Sequence, residues 1–233
     1  MVVNAQSIAA QDIVYPESDG QPMADNTRQF RWIVTIQGGL DALFKDDPNV
    51  FVAGDLLWYP VEGRPDLRVA PDVMVAFGRP KGDRGSYQQW REGGVAPQVV
   101  FEVLSPGNTL AEMIGKLRFY ERYGVEEFYI YDPDRGDLSG WIGAEGELAP
   151  IETMQGWVSP RLGVRFELAG GELQLYRPDG RPFESYVELE RSRDIAQQVA
   201  EQERQRAEQE RQRADRLAAQ LRALGISPEE EPG

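Results

Sequence analysis

Apolar residues recur along this chain in two rhythms, and the change from one to the other divides it. In residues 27–44, Phe30, Ile33, Val34, Leu40 and Phe44 fall at helical spacing, a pattern weakened only by Gly38 and Gly39. The segments FVAGDLLWYPV (51–61) and LRVAPDVMVAF (67–77) are rich in β-formers and are separated by the turn residues Glu62, Gly63, Arg64 and Pro65. After a loop at 78–98 comes PQVVFEVLS (97–105), a nearly continuous apolar run that predicts a strand covered on both faces. Thr109 and Glu112 have the spacing of a capping box. Met113, Ile114, Leu117 and Tyr120 then continue a helix that Gly124 stops. EEFYIYDP (126–133) predicts another strand, joined through Asp134-Arg135-Gly136-Asp137 to a strand at 138–142. VRFELAGGELQLY (164–176) predicts a hairpin turning at Gly170-Gly171.

From about Ser185 the alternation gives way to a charged helical pattern. AEQERQR occurs twice in tandem, at 200–206 and 207–213, and ADRLAAQLRAL follows. The period of seven puts Ala200, Ala207, Ala214 and Leu221 on one position and Glu203, Glu210, Leu217 and Leu224 on its partner. Two glutamates on a seam make a poor apolar core. The expectation is a solvated helix held by pairs four residues apart, with only a weak coiled coil near its end.

Composition narrows the chemistry. The chain has 233 residues, no cysteine and no histidine. Those absences exclude disulfides, thiolate zinc sites, and nucleophilic mechanisms that rely on a histidine base. Acid–base or metal chemistry must then use carboxylates, lysine, tyrosine and carbonyls, and hard oxygen ligands suit Mg²⁺, Mn²⁺ or Ca²⁺. No apolar run reaches the length of a membrane span and the N-terminus lacks a basic signal region, so a cytoplasmic protein without a membrane partner is expected. The net charge of −14 argues against tight non-specific binding to nucleic acid, although a bound divalent ion or a local basic patch changes that balance near a site.

Three residues stand out against this background. Glu102 interrupts the apolar run 99–104, and Asp72 interrupts 69–75. A buried carboxylate needs a cation or a proton. Pairing the two strands antiparallel would set both carboxylates on one face. On the following helix, Lys116 lies at about 240° from Leu110, beside Tyr120 and Met113, so it flanks the apolar stripe and can reach that face. Two readings fit. Two carboxylates and a lysine can support metal-assisted phosphodiester hydrolysis. Alternatively, Asp72 and Glu102 form structural ion pairs with Lys116, Arg118 or Arg68.

APDVMV, FEVLSPGN and GKLRFYERYGVEEFYIYDP, in that order, resemble the Uma family of restriction endonucleases, within the PD-(D/E)XK nuclease superfamily. The matching features are Pro71-Asp72, Glu102 through Ser105, Lys116 with Tyr120, Gly124-Val125 and Asp132-Pro133, all within residues 68–133. The resemblance implies a restriction-endonuclease-like α/β fold with a mixed central sheet flanked by helices. It implies Asp72, Glu102 and Lys116 as catalytic residues. Asp72, Glu102 and the Val103 carbonyl would be ligands to Mg²⁺ or Mn²⁺, DNA the substrate, and a homodimer the form that cuts both strands. In this chain Leu104 stands where the superfamily usually has its lysine, so Lys116 would replace it. The predicted first helix has no glutamate, and the chain lacks the histidine that Uma relatives often place near it.

The loop at 78–91 offers Arg79, Lys81, Arg84 and Arg91 with Tyr87 and Trp90, a mixture that can track phosphates and stack bases; a solvated surface loop is the plainer expectation. Tyr129 and Tyr131 read as packing residues. The expected organisation is a flexible leader at 1–12, the nuclease-like domain at 13–184, an extended charged helix at 185–224 and a disordered tail at 225–233. A nuclease fold without catalysis, binding or scaffolding through its charged helix, is the alternative.

Overall fold

The computed structural model of the chain describes residues 13–18, 20, 22–144 and 146–224. The leader expected at 1–12 and the tail expected at 225–233 lie outside the described residues. The chain forms two compact units that divide between Phe183 and Glu184. Among the described residues no helix is long and apolar enough to cross a membrane.

The first unit opens with α1 (Thr27–Leu43), whose N-cap Asn26 accepts the backbone N–H groups of Arg28 and Gln29. Its buried face is Gln29, Ile33, Ile36, Gly39 and Leu40. The apolar face differs from the expected one: Phe30 and Val34 are 48% and 42% exposed, and Ile36 packs in their stead. Gly39 is required by close approach, because a Cβ there would collide with the Phe183 ring.

The β-rich stretch 51–61 breaks in two. β1 (Val50–Gly54) ends at Asp55, a non-glycine residue at φ +48°, and β2 (Trp58–Tyr59) begins beyond it. The stretch 67–77 contributes a single bridge, Val69 to Trp58, before β3 (Val73–Phe77). Pro71 has no N–H for a ladder, and its carbonyl and that of Asp72 both accept the Asp55 N–H. The loop at 78–98 contains β4 (Tyr87–Gln88), parallel to β2, and a 3-10 turn at Gln89–Glu92. Its basic and aromatic residues are largely committed to the fold. Tyr87 is fully buried, Arg84 pairs with Glu92 and lies 3.8 Å above the Phe51 ring centre, and Trp90 packs on Tyr15.

β5 (Val99–Val103) is buried at every residue, as its apolar run predicts. α2 (Leu110–Tyr123) has the Thr109–Glu112 capping box and ends at Gly124, φ +96°. It leads to β6 (Glu127–Asp132), parallel to β5. β7 (Asp137–Ala144) and β8 (Glu147–Pro150) complete a six-stranded sheet in the order β1-β3-β5-β6-β7-β8, antiparallel except for β5–β6. The hairpin β9 (Arg165–Ala169) and β10 (Glu172–Tyr176) turns at Gly170-Gly171, both at positive φ.

Alternation along the strands makes two apolar layers. Val73, Val75, Val99, Phe101, Tyr129 and Tyr131 face α1 and the β9–β10 hairpin. Met74, Ala76, Val100 and Phe128 face Trp58, Tyr87 and Tyr120 of α2. By the same alternation Asp72 and Glu102 belong to the second face.

The second unit is α3 (Tyr186–Ala223), started by a Ser185–Glu188 capping box. None of its residues is buried. Local pairs line it, including Glu201 with Arg204, and Gln205 and Gln212 donating to Glu201 and Glu208.

Candidate active site

The β3–β5 ladder ends at Val73 opposite Phe101. Asp72 and Glu102 are the next pair along that register, where the ladder stops. Asp72 turns its side chain into the gap instead, and its Oδ2 accepts the Val103 N–H at 2.6 Å. The end of β5 is therefore held by a side chain where β3 no longer supplies backbone partners.

Glu102 points to the α2 face and is 2% exposed. Lys116 Nζ donates to its Oε2 at 2.7 Å, and the Tyr120 hydroxyl donates to its Oε1. Tyr120 and Lys116 are one helical turn apart, so a single helix covers both oxygens of one carboxylate. Packing holds the tyrosine ring between Trp58, stacked at 6.3 Å, and Phe128, edge-on at 4.9 Å. On the opposite side of the sheet, Gln29 of α1 is 6% exposed and donates from Nε2 to the Val103 carbonyl at 2.8 Å. Its Oε1 accepts the Asp25 N–H, and the Asp25 carboxylate accepts the Ser105 hydroxyl. Both backbone groups of Val103 are thus positioned by side chains from outside β5.

The charges follow from this geometry. Burial pushes Glu102 above the ordinary carboxylate range, opposed by the Lys116 charge and the hydrogen bonds from Lys116 and Tyr120. Burial and then the Glu102 charge push Asp72 up to about 8, against the Val103 N–H and Lys116. Burial alone would lower Lys116, but Glu102 and then Asp72 outweigh it and leave the ammonium above its usual value. Tyr120 is raised well above a normal phenol by burial and by Glu102, so it remains a donor. Two carboxylates share one lysine. Their mutual repulsion adds to burial in raising Asp72.

The structure brings Asp72, Glu102, Val103 and Lys116 together at the end of one strand pair. Lys116 pairs with Glu102; Arg68 and Arg118 form no ion pair among the described residues. No group of three or more acidic side chains gathers as a metal cluster among the described residues. Sequence reasoning did not single out Gln29, Asp25 or Asp55. Gln29 carried one usable signal, a polar side chain in helical phase with the buried Ile33, Ile36 and Leu40.

A family model with the description "Uma2: Putative restriction endonuclease" matches residues 19–167. Among solved structures, a protein of Anabaena variabilis ATCC 29413, titled "a putative nuclease belonging to DUF820", is similar at a TM-score of 0.44 and 14% identity. The similarity covers 58% of this chain and 72% of that one. No curated protein matches the chain. The family model spans more than half the chain and contains every residue of the cluster, so the protein belongs to the Uma2 family.

Proposed function

We propose that this chain is a divalent-metal-dependent endonuclease that hydrolyses DNA phosphodiester bonds. Asp72, Glu102 and the Val103 carbonyl hold the ion, and Lys116 is the catalytic cation. The supporting observation is geometric: the half-buried Asp72 and the buried Glu102 meet at the end of one strand pair beside a single lysine, which donates to Glu102.

The donor set fits such an ion. All three groups offer hard oxygen, which suits Mg²⁺ or Mn²⁺. Each carboxylate oxygen and each carbonyl has two lone-pair directions, so one hydrogen bond per oxygen leaves capacity for a cation. Asp72 and Glu102 converge with the Val103 carbonyl, a donor set that would suit Mg²⁺ together with water. When bound, the ion supplies charge neutralisation at the phosphate and an acidified water.

The chain's own residues do the rest. Asp72 would hold the ion as its carboxylate. Tyr120 and Lys116 hold the two oxygens of Glu102, so the carboxylate cannot turn away. Gln29 keeps the Val103 carbonyl aimed. Lys116 uses one of its three N–H groups on Glu102 and has two left for a phosphoryl oxygen. Its raised pKa makes it an electrostatic partner rather than a base. Each chain contributes one such site, so cleavage of both strands calls for two copies.

The test is nicking and linearisation of plasmid DNA in Mn²⁺ or Mg²⁺, with chelator controls. Asp72→Asn, Glu102→Gln and Lys116→Ala should each cut the rate by at least about 100-fold. Mn²⁺ should raise the melting temperature of the parent and of Lys116→Ala, but not of the two carboxylate variants. A parent protein that neither cleaves DNA nor responds to Mn²⁺ in its melt would sink the assignment.

A further inference from the structure

We infer that α3 is a self-association surface that pairs antiparallel with α3 of a second copy of this chain, centred on residue 208. The observation is the order of charges along one seam. Val199, Glu203, Arg206, Glu210, Arg213 and Leu217 are spaced alternately by four and three residues, so they share one face of a coiled-coil helix. Reflected about position 208, the seam complements itself: Val199 falls level with Leu217, Glu203 with Arg213, and Arg206 with Glu210. Every central layer then joins opposite charges and the layer at each end is apolar. In a parallel pair with the helices in register, Glu203, Arg206, Glu210 and Arg213 would each meet their own copy, giving four like-charge layers.

The tandem repeat sets this order, and it also puts Glu203 with Arg206 and Glu210 with Arg213 at the spacing of intrahelical pairs such as Glu201–Arg204. Among the described residues, none of the four seam charges makes an ion pair within its own chain, so all four are available to a partner. Val199 and Leu217 are 49% and 51% exposed on a helix that buries nothing. Registry set by charged layers rather than by apolar area implies a specific but modest association. The inference stands apart from the proposed chemistry, because no residue of the Asp72–Glu102 cluster belongs to α3.

The chain has no cysteine, which allows a direct test on the full-length protein. Val199→Cys and Leu217→Cys variants are mixed and oxidised. The expected product is a crosslink between the two variants. Val199→Cys alone should not crosslink to itself, because the two copies of position 199 lie 18 residues apart along the pair, about 27 Å at 1.5 Å per residue. Crosslinking of Val199→Cys to itself would show a parallel pair and overturn the inference, as would the absence of a crosslink in the mixture.

Light scattering of the unmodified chain at about 100 µM should give a mass approaching two chains, and a one-chain mass there also overturns it. Glu203→Arg with Glu210→Arg should weaken self-association about tenfold or more, as should Arg206→Glu with Arg213→Glu. Mixing these two double variants should restore pairing. Unchanged self-association in either double variant would place the contact elsewhere.

Discussion

Two carboxylates are buried in adjacent strands of the same sheet, at its opposite ends, and their hydrogen bonds are supplied by different means. Glu127, at the start of β6, is 1% exposed and takes three neutral donors: the Ser159 hydroxyl, the Tyr129 hydroxyl at 2.9 Å and the Arg161 N–H at 2.7 Å. Its partners are themselves satisfied, since Trp157 donates to Tyr129 and the Leu162 N–H to Ser159. The result ties the turn at 156–164 to the sheet, and the neighbouring charges, Arg161 and Glu126, pair with each other. Glu102, at the end of β5, has a lysine and a tyrosine, but Asp72 brings a further negative charge into the same space. Burial of an acid is therefore a poor marker of a site. An acid whose surroundings leave charge unbalanced is a better one.

The largest effect that would break this contrast is on stability without metal. Glu127→Ala should strand two hydroxyls and a backbone N–H, at a cost of about 3 kcal/mol or more. Asp72→Asn keeps an oxygen for the Val103 N–H and removes the repulsion from Glu102, so it should leave stability unchanged or raise it. Chemical denaturation of both variants in chelator measures the difference. If Asp72→Asn lost as much stability as Glu127→Ala, the two carboxylates would both be structural.

Titration sharpens the same contrast. Asp72 in the folded chain holds its proton up to about pH 8, against about 4 for an unfolded aspartate. Between those values the native state binds more protons than the unfolded state, so metal-free stability falls as pH rises through the window. The contribution is complete below about pH 4 and lost by about pH 8. Asp72→Asn should flatten that slope. Mn²⁺ competes with the proton, so its stabilisation of the parent should grow over the same window. A parent and an Asp72→Asn variant with identical pH profiles would remove the charge argument.

Gln29 offers a smaller and more selective probe. Gln29→Glu replaces the donor to the Val103 carbonyl with a third negative group, so the metal-free protein should lose about 1–2 kcal/mol. Mn²⁺ should recover that loss and shift the melt further than it shifts the parent, because the variant offers the ion another oxygen. A variant that is destabilised equally with and without Mn²⁺ would show that Gln29 only braces β5.

How much of this could be read in the chain depended on whether the signal was local. The α2 helix was legible because Thr109, Glu112 and Gly124 specify its ends within a few residues. The β9–β10 hairpin was legible from Gly170-Gly171, and Glu102 from five apolar neighbours that no exposed strand would need. What failed depended on contacts distant in sequence. Ile36 replaces Phe30 and Val34 on the buried face of α1, because the docking angle of the helix decides between neighbouring stripes. The 51–61 segment reads as one strand, yet the left-handed turn at Asp55, whose N–H donates to the Pro71 and Asp72 carbonyls, breaks it. Tyr87 and Arg84 read as part of a solvated loop, with a nucleic-acid surface as the lesser reading, because their partners, Trp58 and Phe51, come from strands some thirty residues earlier. Glu127 is adjacent to Glu126 in a strand pattern, and nothing local marks which of the two is buried.

The smallest effect concerns the second unit. α3 carries no buried residue and the chain divides between Phe183 and Glu184, so truncation after Ser185 removes little apolar surface from the folded state of the first unit. The truncated chain should melt within a few degrees of the parent, keep the Asp72-dependent pH slope and keep its response to Mn²⁺. A fall of more than about 5 °C, on the order of 1–2 kcal/mol for a domain of this size, would show that the helix contributes to the stability of the sheet. Loss of self-association without a change in melt separates the two roles: pairing would belong to α3, and the carboxylate cluster to a domain that folds without it. Loss of cleavage of both strands with nicking retained would then locate the need for two copies in the helix rather than in the site.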